Sequence, residues 1–237
     1  MKSEEFELVK PKNLKDLIRT FSEEKEVPSI DPCLSIQIDN IVMVLNDLGQ
    51  SEVIFEKNIR KLLDLINSDD VKRFKLGVEI LGKVLGFEAI QPKGDTVLDV
   101  VWRLRDRFLG FETSVEGICR APVESEECKQ IHGHKKWIQD NLPFPDGATI
   151  DVIIISKKNM TSEDSLSQAS DLFHINASEI RKIALKTTIM LRWILSVFEK
   201  NHRQKQEEQI YKIITLEKLT YRDIEVYFKT QLLDELF

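Results

Sequence analysis

The chain has 237 residues, 42% hydrophobic and 31% charged, with 34 lysines and arginines against 40 acids and a net charge of −6 at pH 7. That balance excludes a globally disordered chain and a broadly basic nucleic-acid or membrane coat, while leaving room for a local basic groove. A chain of this length needs neither disulfides nor a metal to build its core.

No apolar run nears the roughly 20 residues of a bilayer crossing, and the opening MKSEEFELVK lacks the apolar core of a secretory signal. The three cysteines, Cys33, Cys119 and Cys128, form no even, closely spaced framework. A cytoplasmic globular protein is expected, with no membrane partner.

In chain order, residues 1–34 are charged, carry Pro11, Pro28 and Pro32, and read as one short helix over 14–24 followed by an extended connector. Over 34–67 the apolar residues recur at helical spacing, and Gly49-Gln50 divides the run into two helices. Ser68-Asp69-Asp70 supplies an N-cap for a helix that stops at Gly86. The period then changes. Residues 87–90 read as a short strand, and 96–104 with 107–116 as a hairpin closed by Arg105-Asp106. A helix over 125–141 and a Pro-Phe-Pro-Asp-Gly loop precede the near-continuous apolar strand 148–156, the pattern of a strand at the centre of a covered sheet. Helices over 162–170 and 177–200 bracket a short strand at 172–175, and 204–237 reads as charged helix with a restart at Thr220.

The expected fold class is α/β, a mixed central sheet flanked by helices on both faces, with helical N- and C-terminal extensions. Three regions follow: a helical region at 1–67, the α/β domain at 68–200 and a C-terminal helical extension at 201–237.

Chemistry concentrates on the hairpin. Alternation groups Glu112, Ser114 and Glu116 on one face of the second strand, and Asp99 with Val97 and Val101 on one face of the first. An acid among Leu98, Val100, Val101 and Trp102 is costly unless its charge is offset. Were Asp99 and Glu112 to face the same side, two carboxylates would converge, the donor set that Mg²⁺ or Mn²⁺ requires.

The run LGFEAIQPKGDTVLDVVWRLRDRFLGFETSVE, followed by HKKWIQDNLP and IDVIIIS, resembles the PD-(D/E)XK, or restriction-endonuclease-like, nuclease superfamily over residues 68–200. The resemblance implies a metal-dependent phosphodiesterase scaffold, with Asp99 and Glu112 as catalytic acids and Glu79, on the preceding helix, completing the metal shell with them. The family's Glu-x-Lys reads Glu112-Thr113-Ser114 here, and Leu98 stands where a proline precedes the family's aspartate. An uncharged hydroxyl cannot supply the missing ammonium; Lys129 and Lys135, on the following helix, are the candidates to replace it, with Gln130 as polar support. The implied function is nucleic-acid binding, DNA before RNA, with Mg²⁺- or Mn²⁺-dependent hydrolysis if the altered site is active. The alternative is a non-catalytic protein-interaction module on the same scaffold, joined to a partner or a second copy through the terminal helices and working in a nucleic-acid-processing or defence assembly.

Structural readings stand beside each of these. Asp99 can pair with Lys93, Arg103 or Arg105, Glu112 with Arg103, and Glu79 with Lys75 or Lys83 one turn away. Cys128 and His132 share a helix face and could join Cys119 and His134 at a zinc ion, but His134 lies two residues further on, turned away. Lys135 and Lys136 beside Trp137, with Arg105 on the hairpin, suit nucleic-acid contact, although Trp137 at helical spacing also reads as core. The final helix either packs on the domain or binds a partner. Motifs of P-loop ATPases, dinucleotide enzymes, zincins, serine hydrolases and CxxC sites are absent from the sequence.

Overall fold

A computed structural model describes residues 31–48, 51–93, 98–115, 125–157, 172–197, 203–230 and 232, with the backbone alone at 125–132. The chain divides into two units, residues 1–30 and residues 31–237. The first unit lies outside the described residues, and with it the helix expected at 14–24; the helix expected at 162–170 also lies outside them.

The second unit opens with three helices, α1 (Pro32–Leu48), α2 (Glu52–Ile66) and α3 (Val71–Val84). Ser51 and Asp70 cap α2 and α3, Asp70 accepting from the Arg73 N–H at 2.8 Å. Helix α3 ends where Gly86 takes φ +88°, a left-handed turn disfavoured with a side chain; a Cβ there would also lie 2.4 Å from the Gln37 carbonyl oxygen.

Among the described residues five strands form one sheet in the order β1 (Glu88–Ile90), β2 (Val100–Leu104), β3 (Arg107–Ser114), β4 (Thr149–Ser156) and β5 (Phe173–Asn176). The first two pairings are antiparallel and the last two parallel, so the sheet is mixed. Helix α4 (Ser125–Asn141) makes the crossover from β3 to β4, and α5 (Ala177–Val197), α6 (Arg203–Leu216) and α7 (Tyr221–Phe228) follow β5. The hairpin turns at Arg105 and Asp106 as expected, with Arg105 at φ +57°.

The two faces are covered differently. Phe108, Val152 and Ile154 meet Ile138 of α4 on one side. On the other, Trp102 packs with Phe87, Phe111 and Phe228, and its indole N–H donates to the Val78 carbonyl of α3. Strand β4 lies between two neighbours, with Val152, Ile153, Ile154 and Ile155 almost wholly buried. Each such side chain contributes roughly 1.5–3 kcal/mol by leaving water, which explains its unbroken apolar run.

The C-terminal helices pack within the unit. Ile210, Ile213, Ile214, Ile224 and Phe228 are buried, and Thr220 restarts the chain with a reciprocal capping box to Asp223. Gln37, fully buried, holds the helices together. Its amide donates to the carbonyls of Leu85 and Leu219 at 2.9 and 3.0 Å, and its oxygen accepts from the Tyr221 N–H at 2.8 Å.

Candidate carboxylate site

The sheet brings the acid-bearing segments to one end, where β2 begins and the parallel strands β3, β4 and β5 finish. The Asp99 N–H donates to the Phe111 carbonyl at 3.1 Å, yet Phe111 registers with Val100. Residues 99 and 100 therefore share one partner, the arrangement of a β-bulge. Leu98 lies against Gly110 and Ile138 on the α4 side, whereas the Asp99 carboxylate turns to the opposite face. There its Oδ2 accepts from the Thr113 N–H at 2.8 Å and the Thr113 hydroxyl at 2.7 Å. Its Oδ1 is ion-paired with Lys75 of α3. The Asp99 side chain is 8% exposed, so the offset for its charge is internal. Simple alternation, which groups Asp99 with Val101, fails here because the bulge inserts one residue into the strand.

Glu112 follows the opposite course. Consecutive strand side chains point to opposite faces, so Glu112 projects away from Thr113 and toward α4, where His134 is 1% exposed. Glu112 Oε2 and His134 Nε2 stand 3.4 Å apart. Neither atom has a hydrogen-bond partner among the described residues. Asp99 and Glu112 thus engage different partners on different faces of the sheet.

The remaining sequence candidates fall as follows. Glu79 is ion-paired with Lys83 one turn along α3 and accepts from the Gln91 amide at 3.0 Å. Lys135 is half-buried and Lys136 exposed on α4, and Trp137 packs against the Ile138 cluster. Arg105 is exposed at the hairpin turn, and Arg103 pairs with Glu88 at 3.7 Å. The side chains of Lys129, Gln130, Cys128 and His132, and the whole of Glu116 and Cys119, lie outside the described residues. Among the described residues no three or more His, Cys, Asp and Glu side chains form a group able to hold a metal ion. No helix is long and apolar enough to cross a membrane, again among the described residues.

Sequence reasoning overlooked Lys75 as the partner of Asp99. Its signal was present in the helical stripe Lys75, Glu79 and Lys83, but which stripe member reaches a strand 24 residues later depends on the packing of α3 over β2.

No family model matches the chain, and no curated protein matches it. Among solved structures, the small subunit of the heterodimeric restriction endonuclease R.BspD6I is similar at a TM-score of 0.36 and 14% identity, over 66% of this chain and 98% of that one. The five-stranded mixed sheet with flanking helices is the architecture the sequence led us to expect.

Proposed function

We propose that this chain is a restriction-endonuclease-like module that binds nucleic acid without hydrolysing it, its acidic site closed by an internal ion pair. One observation carries this reading: the Asp99 carboxylate is taken up by Lys75 and Thr113 on one face of the sheet, while Glu112 meets His134 on the other. Hard divalent cations need carboxylate oxygens that converge and stand open. With Lys75 in place, Asp99 and Glu112 do not fit Mg²⁺ or Mn²⁺. Ser114, standing where the family carries its lysine, points the same way.

The test is Mn²⁺ and Mg²⁺ titration by calorimetry on the wild type and on Asp99→Ala, with cleavage of labelled DNA and RNA by the same preparations. The expected result is binding of nucleic acid without cleavage, and no metal binding that depends on Asp99. Metal binding lost in Asp99→Ala, together with cleavage by the wild type, would overturn the reading.

A second reading has its own observation. Lys75 sets an ammonium against Asp99, which could supply from α3 the charge missing at position 114. On that reading the wild type cleaves and Lys75→Ala does not.

A further inference from the structure

A second charged cluster, with Asp69 rather than Asp99 or Glu112 as its acid, lies at the same end of the sheet. The parallel register aligns Ser114, Ser156 and Asn176 at the ends of β3, β4 and β5. Lys157 follows directly. Two residues past Ile155, it continues the face that carries Thr113 and looks toward α3. Arg181, in the second turn of α5, reaches the same place.

Both cations converge on one atom. Lys157 Nζ is 2.8 Å and Arg181 Nη2 3.4 Å from Asp69 Oδ1, while the Arg181 Nε–H donates to the Ile66 carbonyl at 3.4 Å. The burial is asymmetric: the Asp69 side chain is 74% exposed, Lys157 24% and Arg181 34%. The cations are therefore held in place by the fold, one directly after a buried strand and the other on a long helix anchored to Ile66. The anion between them sits in water on the turn before α3.

An exposed carboxylate between two fixed cations is a weak partner, since solvent screens it. A phosphate brings more charge and more acceptor oxygens, and arginine's planar fork matches them. The Lys157 hydrogen bond holds the Asp69 carboxyl below its ordinary range, so Asp69 is ionised at neutral pH and competes for the place.

We propose that Lys157 and Arg181 form a recognition site for a phosphate group, and that Asp69 occupies it until the phosphate arrives. This deepens the binding reading above and rests on it. The phosphate can be that of a nucleic-acid backbone or of a small free anion, and the experiment separates the two.

Fluorescence anisotropy of short labelled duplex DNA, single-stranded DNA and RNA is measured against salt concentration for the wild type, the double variant Lys157→Ala/Arg181→Ala, Asp69→Asn, and a control, Lys212→Ala, on α6. Calorimetry with inorganic phosphate and with a nucleoside monophosphate forms the second arm. The double variant is expected to bind oligonucleotides about tenfold more weakly, and its slope of log affinity against log salt should fall by about 1.4–1.8, two contacts' worth. Asp69→Asn, which deletes only the competing charge, should tighten binding; a folding defect cannot mimic that gain. Tightening toward inorganic phosphate alone supports the site with a small anion as its ligand. If the wild type binds oligonucleotides but neither variant changes affinity or salt slope, the site assignment is overturned and the binding reading stands. If the wild type binds in no arm, both fall.

Discussion

Replacing Asp99 by alanine decides whether this carboxylate is a structural tie or a functional group held at a cost. The substitution removes two hydrogen bonds from Thr113 and the ion pair with Lys75. Hydrogen bonds to a charged acceptor contribute about 1.5–3 kcal/mol each, and they do not add fully. Thr113 is 7% exposed, so its N–H and hydroxyl are left with little access to water. Lys75 at 28% exposure recovers hydration for its ammonium. The net cost is about 3 kcal/mol, which for a chain of this size lowers Tm by about 6–12 °C. Thr113→Val removes the hydroxyl bond alone and should cost about 1–2 kcal/mol. Urea denaturation followed by circular dichroism gives both values, provided the m-values agree between variants. A cycle of Asp99→Ala with Lys75→Met should return a coupling of about 1 kcal/mol or more. Active-site acids carry the opposite signature, because a site built for chemistry is often relieved by losing them. An Asp99→Ala protein whose urea midpoint is unchanged or raised would refute the closed-site reasoning.

Two further predictions concern the packing around the site. Gln37→Leu leaves the Leu85 and Leu219 carbonyls and the Tyr221 N–H without their partner inside the core, at a cost of about 3–5 kcal/mol; a urea midpoint within error of wild type would refute the clamp. Glu225 is pushed above the ordinary glutamate range by burial, against the opposing pull of Arg107 and Lys229 and with Asp151 and Asp106 adding to the rise. The folded chain then holds this proton at pH values where the unfolded chain has lost it, so stability falls as pH rises through that window. Glu225→Gln should accordingly raise Tm at neutral pH, and the gain should vanish below the ordinary carboxylate range; a thermal-melt series across pH checks the sign.

Much of the fold was legible because local signals agreed with the global arrangement. Gly86, the Asp70 cap, the Arg105-Asp106 turn and the capping box at Thr220 each fix a boundary through their own backbone chemistry, and all stand where the sequence suggested. The long apolar run before Lys157 announced a strand covered on both sides. The site was less legible. A single extra residue at Asp99 moves that carboxylate to the other face, and nothing in the alternation of Leu98, Val100 and Val101 marks the bulge. Lys75, Lys157 and Arg181 look like ordinary solvated charges in sequence; their partners lie 24, 88 and 112 residues away, set by how α3, β4 and α5 are laid side by side. His134, which helical spacing turns away from the face shared by Cys128 and His132, is buried beside Glu112 because α4 lies on that side of the sheet.

The Gln37 clamp also bears on how the chain comes to be folded. Its bonds to Leu219 and Tyr221 close sequence separations of 182 and 184 residues. A ribosome releases Gln37 long before these two partners exist, so of its clamp only the Leu85 carbonyl, 48 residues on, is available at first. Final consolidation must wait for α7, and until then the side of α1 that meets α6 and α7 stays open to chaperones or to a neighbouring nascent chain.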